Sequence, residues 1–302
     1  MKFGKLSDIS QVNFQLPTDP KANGPRIDRY QLGSGEKPRL YLGATGWSMK
    51  EWKGKWYPEK AKTTAFLQHY GQQFNTIELN TTHYRIPTPD TIQKWYQETP
   101  ADFRFCPKIP QTISHRNDLG LRGEDTKRFI AAIDGLQEKM GCAFIQLPPY
   151  FDASRLPTLD RFLGAWPQLL PIAVEVRHES WFNDPTQTES LIDTLANHRA
   201  CAVITDVAGR RDVLHMYVTA PRTMIRFVGN GLHPTDFERL MDWTVRLRQW
   251  RLPEVYFFPH EPDNLLAPDA TAWLYQQLKQ QDWAVVRGPK EVLGPPVQGS
   301  LF

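Results

Sequence analysis

The sequence predicts an α/β protein: a single (β/α)8 TIM-type barrel with an irregular N-terminal extension. Three observations lead there. Eight short apolar strand patterns alternate with amphipathic helix patterns at the spacing such a barrel requires. No break in composition divides the span from 39 to 288, and 302 residues suit one large domain of this kind. Polar and charged residues gather at the C-terminal ends of the strands, where barrel active sites are built. The competing doubly wound sheet would bring a glycine-rich nucleotide turn after an early strand. Gly43-Ala44-Thr45-Gly46-Trp47 is not such a turn, and no phosphate loop of the Walker type occurs.

Residues 1–38 are polar and rich in proline and glycine, as expected of an extension wrapped on the surface or partly mobile. The first strand runs from Arg39 to Ala44. Trp47, Trp52, Trp56 and Tyr57 follow it, either as loop packing or as a ligand platform, before a helix from about Thr63 to Gln72. In the second strand, Thr76 to Asn80, Glu78 and Asn80 share a face opposite Ile77 and Leu79. Thr88 caps the next helix, with Pro89 at its first position. The third strand, Phe103 to Lys108, sets Cys106 and Lys108 against Phe103 and Phe105, and a loop holding His115 and Arg116 leads to a helix over about 124–139. The fourth strand, Cys142 to Leu147, ends in Gln146-Leu147-Pro148-Pro149, and a helix over 159–166 precedes the fifth.

The fifth strand carries the densest signal. In Ala173-Val174-Glu175-Val176-Arg177-His178-Glu179-Ser180-Trp181, an acid and a base share the small-residue face while the valines occupy the other. A helix over 187–198 and a sixth strand, Ala200 to Thr205 with Asp206 at its end, come next. Val207 to Pro221 shows no clear helix. The seventh strand, Thr223 to Val228, carries Arg226. A helix over 235–250, an eighth strand from Glu254 to Phe258 ending in Pro259-His260-Glu261, a helix over 269–279 and a tail at 289–302 complete the chain.

Alternation selects the inward residue at each strand end: Glu78 and Asn80, Lys108, Gln146, Glu175 and Arg177, Asp206, Arg226, and His260. Each has a plainer reading. Glu175 with Arg177, or Glu78 with Lys108, makes an ordinary ion pair. Asp206 caps the following segment, Gln146 satisfies loop backbone, and His115 is solvated. His178 and His260 are hydrogen-bonded supporting residues rather than metal ligands. Buried ion pairs add little net stability, however, so several in one place point to function. Acids interleaved with Lys and Arg suit neither a bare metal cage nor a pure anion cradle. They suit acid–base work on a substrate that itself carries negative charge. Neighbouring strands lie ~4.8 Å apart, so Glu175 and Asp206 also form a possible glycosidase-like carboxylate pair.

Composition narrows the classes. Cys106, Cys142 and Cys201 are an odd set with no Cys-x-x-Cys spacing, which argues against a disulfide framework or zinc knuckle and for buried core thiols. A net charge of +3 is too mild to argue for nucleic acid by itself. No apolar run approaches the ~20 residues of a membrane helix, and the N-terminus lacks the apolar block of a signal peptide, so the expected location is the cytoplasm without membrane contact.

The chain resembles the YecE-like family, domain of unknown function 72. The likeness runs in order over about residues 40–285. It is carried by Gly43-Ala44-Thr45-Gly46-Trp47, Phe74-Asn75-Thr76-Ile77-Glu78-Leu79-Asn80, Tyr84, Phe103-Arg104-Phe105 with Lys108 and Pro110, and Ile113-Ser114-His115. Gln146-Leu147-Pro148-Pro149, Glu175-Val176-Arg177-His178-Glu179-Ser180-Trp181 and Asp206 continue it. The resemblance implies a TIM barrel and no established reaction. Phe227-Val228-Gly229 after Arg226, the turn after Pro259, His83 in place of an aromatic, and the first 38 residues depart from the family pattern.

The expectation is a hydrolase, lyase or isomerase doing metal-independent acid–base chemistry on a phosphorylated sugar or nucleotide-like substrate, with no cofactor. Glu78, Glu175, Asp206 and His260 form the catalytic set. Trp47, Asn80, Lys108, His115, Gln146, Arg177, His178, Trp181 and Arg226 bind the substrate. The first alternative is a phosphodiesterase of the DNA-repair type, using a divalent metal on Glu78, His115, Glu175, His178, Asp206, His260 and Glu261. The second is a barrel that binds an anionic ligand without chemistry.

Overall fold

The computed structural model describes residues 4–292, so most of the expected C-terminal tail, from 293 onward, lies outside the described residues. The elements in order are α1 (Asn23–Tyr30), β1 (Arg39–Leu42), α2 (Phe66–Gln73), β2 (Thr76–Leu79), α3 (Pro89–Glu98), β3 (Arg104–Pro107), the single turn α4 (Gln111–Ser114) and α5 (Asp125–Asp134). There follow β4 (Ala143–Gln146), α6 (Leu156–Ala165), β5 (Ile172–Glu175), α7 (Pro185–Asn197), β6 (Cys201–Asp206), β7 (Arg222–Val228), α8 (Pro234–Trp250), β8 (Glu254–His260), α9 (Ala267–Gln281) and β9 (Val285–Arg287).

All the strand pairings are parallel, which requires a helix or long crossover between neighbours. Strands β4, β5, β6, β7, β8 and β1 lie side by side in that order, and β2 pairs with β3. Backbone bonds across the two remaining seams close the barrel: Glu78 N–H to the Ala44 carbonyl at 3.1 Å, and Ile109 N–H to the Phe144 carbonyl at 2.8 Å. Gly43 permits the first seam, because a Cβ there would stand 2.2 Å from the Thr76 carbonyl oxygen. Below that point β2 diverges from β1. The Asn75 side chain then bonds Leu42 N and Leu40 O, and β9, a strand not expected from sequence, pairs along Arg39–Tyr41.

Core residues divide by face. Tyr41, Phe144, Ala173, Val203, Met224 and Tyr256 pack inside the barrel with the three cysteines, all buried and unbridged. Outward strand residues meet the helices in two further clusters. Thr88 caps α3 by accepting from Thr91 N, with Pro89 at the first position. The helix expected over 124–139 stops at Asp134, and Gln137 takes a φ of +50°. Lys139 there turns its ammonium onto the Tyr96 and Thr99 carbonyls at the end of α3, satisfying groups the helix leaves unpaired.

No α-helix follows β6, as the weak pattern of 207–221 predicts; the segment holds only the short turn Arg211–Val213. The N-terminal extension fills that gap. Leu16 packs with Leu214, Met216 and Val218. The buried Asn23 amide bonds Met216 O and Val218 N, Asp19 bonds Arg246 and Trp250, and the Phe14 and Gln15 carbonyls accept from Arg211. Among the described residues no helix is long and apolar enough to cross a membrane.

Candidate active site

Above the apolar interior, the C-terminal ends of the strands hold one connected ionic network. Arg226 on β7 is its centre and is fully buried. Its guanidinium forks onto Glu78, with Nε and Nη2 each 2.8 Å from a carboxylate oxygen, while Nη1 reaches Glu175 at 2.6 Å. Arg177 Nε donates to the other Glu175 oxygen at 2.9 Å, where Thr205 also donates at 3.2 Å. Gln146 joins the outer members: its amide nitrogen donates to Glu175 at 2.7 Å, and its oxygen accepts from Lys108 Nζ at 2.9 Å. Asn80 donates to Glu78 at 2.9 Å, and His260 Nε2 meets the same carboxylate at 2.9 Å.

Burial sets the protonation states as much as charge does. Burial raises the Glu78 carboxyl, but Arg226 and then His260 outweigh it and hold it well below the usual carboxylate range. Glu175 is likewise raised by burial, yet Arg177 and Arg226 bring it down to about 2. The converse holds for Arg226: burial disfavours its charge, and Glu175 and Glu78 more than restore it. Burial and then Arg226 lower the Lys108 ammonium to about 8, against the pull of Glu78 and Glu175. His260 is pushed below the ordinary histidine value by burial, with Glu78 opposing. At pH 7 Glu78 and Glu175 are therefore carboxylates, Arg226 is a guanidinium, Lys108 is mostly ammonium with a minor neutral fraction, and His260 is a neutral imidazole.

The network gathers eight of the nine expected inward residues: Glu78, Asn80, Lys108, Gln146, Glu175, Arg177, Arg226 and His260. Asp206 is not among them, which corrects the inward assignment. On β6 the inward face is Cys201, Val203 and Thr205. Asp206 points to the helix layer, bonded to Arg239 at 2.9 Å, Trp243 Nε1 at 2.9 Å and Arg211. It is therefore not placed to form a carboxylate pair with Glu175. Trp181 is another correction: it is fully buried in the helix layer, donating to the Phe151 carbonyl. His178 caps the turn Glu179–Trp181 through Ser180, as its plainer reading holds. Trp47 packs edge-on against Trp95 at 6.0 Å and remains half-buried, while Trp52, Trp56 and Tyr57 are buried packing.

His115 is exposed and bonds Ser114, with its ring 5.6 Å from that of His83. His83 joins the mouth unexpectedly. The turn Asn80–His83 carries it over the end of β2, Nδ1 bonds the Ile109 carbonyl at 3.0 Å, and burial lowers its pKa to about 4. A histidine three residues past Asn80, at the end of the Glu78-Leu79-Asn80 strand, is the sequence signal for it. The ligand set of the metal alternative is dispersed. Asp206 and His178 are engaged elsewhere, and Glu261 accepts from the Gly231 and Leu232 amides. Among the described residues no three His, Cys, Asp or Glu side chains are grouped to hold a metal ion.

A parallel (β/α)8 barrel whose mouth is sealed by a buried Glu–Arg–Glu bridge defines the class. The chain belongs to the family described as protein of unknown function DUF72, whose sequence profile matches residues 41–293. It is 31% identical over 282 residues to UPF0759 protein YecE of Escherichia coli K12, covering 87% of this chain and all of that protein. UPF0759 protein YunF of Bacillus subtilis is 28% identical over 210 residues, 64% of this chain and 71% of that one. Among solved structures, a DUF72 family protein from Thermotoga maritima superposes with a TM-score of 0.63 at 26% identity, covering 81% of this chain and 99% of that one. One from Enterococcus faecalis V583 gives 0.64 at 19% identity, covering 84% and 100%, a likeness of fold.

Proposed function

We propose that this chain is an enzyme performing metal-independent acid–base chemistry on a small anionic substrate at the barrel mouth. The observation that carries the reading is Arg226, whose fork occupies both central carboxylates. Glu78 and Glu175, held ionised, are then poor proton donors and weak bases. Their part is to orient and to set the field. The proton carrier is His260. Its Nε2–H is directed at Glu78, which leaves the Nδ1 lone pair with no protein partner among the described residues. A neutral imidazole fixed by a carboxylate is the usual form of a general base. Two carboxylates set against two guanidiniums and a lysine leave the mouth positive, which draws an anion toward Lys108 and Arg177. Phosphorylated sugars, nucleotide fragments and small carboxylates are the substrate classes that fit.

The test is a turnover screen of those compounds on wild type beside His260→Gln and Glu175→Gln. Loss of the general base is expected to lower turnover by at least ~100-fold with substrate binding retained. Unchanged turnover in His260→Gln would overturn the assignment. Tight anion binding without turnover in wild type would make the chain a binding barrel instead.

A further inference from the structure

Lys108 stands apart from the other cations of the mouth. Two carboxylates lie in its network, yet its Nζ bonds neither. Arg226 and Arg177 take those oxygens, and the hydrogen-bond partner of Lys108 among the described residues is the neutral Gln146 amide oxygen at 2.9 Å. The side chain is only 8% exposed and issues from the end of β3 into the mouth. Arg226, Arg177, Glu78 and Glu175 face it from β7, β5 and β2, and the His83 and His115 rings lie within its field. A lysine held there for anion binding alone would gain nothing from burial between guanidiniums. An amine that must be neutral to react gains a great deal.

We infer that Lys108 is a covalent catalytic residue, an amine nucleophile that forms an imine with a carbonyl group borne by the anionic substrate. This rests on the anion-binding reading above. The neutral Nζ adds to the carbonyl carbon, forming a C–N bond, and the carbonyl π pair becomes an O–H bond with the proton that leaves nitrogen. The hydroxyl then departs as water, taking one further proton from solvent, and the nitrogen lone pair closes a protonated C=N bond. No oxidant or reductant is needed for this step. The iminium acidifies the adjacent C–H, which gives His260 a proton to remove. The lysine pKa of about 8 leaves about a tenth of the amine neutral at pH 7, a few hundredfold more than an ordinary lysine carries.

The test is imine trapping with glyceraldehyde 3-phosphate and cyanoborohydride, read by peptide mass mapping, alongside melting curves with the same compound. Lys108 is expected to label at neutral pH ahead of the exposed Lys94 and Lys127. Its labelling should be half-maximal near pH 8. Unphosphorylated glyceraldehyde should label it at least ~10-fold more slowly, since it lacks the attracted charge. Lys108→Arg should melt normally and lose that label alone. Labelling of Lys94 and Lys127 ahead of Lys108 would overturn the inference. If glyceraldehyde 3-phosphate or inorganic phosphate raises the melting temperature without labelling Lys108, the imine falls and the anion-binding reading stands. If neither compound shifts melting and Lys108 stays unlabelled, both fall.

Discussion

Replacing Arg226 by methionine removes the charge that joins Glu78 to Glu175 while keeping most of the side-chain length. Three charge-assisted bonds vanish, at 2.8, 2.8 and 2.6 Å. Taken singly at ~1.5–3 kcal/mol each they overstate the loss, because the stranded carboxylates can take up protons. Breaking a buried ion pair from one side costs about 3–5 kcal/mol, and that is the expected destabilisation at pH 7. Glu78 suffers more than Glu175, which keeps Arg177 and Gln146. Without Arg226 the buried Glu78 should prefer its neutral form, so its folded pKa rises above the unfolded one. The variant's deficit should therefore shrink at pH 5 and grow at pH 8. The assay is the urea midpoint at each pH, with Glu78→Gln/Glu175→Gln/Arg226→Met as companion. The triple variant removes the three charges of the bridge together and leaves Arg177 an amide oxygen to bond at position 175, so it should recover most of the lost stability. Arg226→Met within ~1 kcal/mol of wild type, or a triple variant no better than the single, would refute the picture of a buried bridge.

Burial, with Asp236 nearby, raises the Glu261 carboxyl to about 7, and one of its oxygens has no partner among the described residues. A raised acid stabilises fully below its unfolded value near 4.5, and that contribution is lost as pH rises through 7. Glu261→Gln should therefore gain about 2 kcal/mol over wild type at pH 8 and little at pH 5, measured by urea unfolding. Asp206→Ala takes one of two carboxylates from the buried Arg239, which keeps Asp236, and the acceptor from Trp243; it should lower stability by about 3 kcal/mol without altering phosphate binding measured by calorimetry. A change in ligand affinity there would return Asp206 to the site. Gly43→Ala sets a methyl against the Thr76 carbonyl at the β1–β2 seam, and a loss of ~3 kcal/mol or more is expected from denaturant unfolding.

Period-two alternation places Glu78, Lys108, Glu175 and Arg226 on the inner face because each stands beside strongly apolar neighbours of the opposite face. The same rule fails at β6. Cys201-Ala202-Val203-Ile204-Thr205 is apolar on both faces, as parallel barrel strands are, so nothing in its pattern distinguishes Thr205 from Asp206 as the inward residue. Trp181 and His178 misled through proximity to Arg177. Once β5 ends at Glu175, the chain turns into a capped 3-10 turn that buries the indole outside the barrel. The partners of each charge are also invisible to local pattern. Glu78 and Arg226 are 148 residues apart, and only barrel closure reveals that one arginine holds two acids. The role of the N-terminal extension depends on the same closure, because Leu16 and Asn23 fill the place of a helix that the chain omits after β6.

The protonation of His260 bears most directly on the central claim, that the mouth pairs fixed carboxylates with a neutral imidazole. Long-range proton–nitrogen spectra of protein labelled at the histidine side chains, with His260→Gln for assignment, read tautomer and titration together. The expected result is a neutral ring at pH 7 protonated on Nε2, titrating below the ordinary histidine value of 6.5. A His260 ring that is cationic at pH 7, or protonated on Nδ1 alone, would contradict the account, since it would have no lone pair facing the mouth.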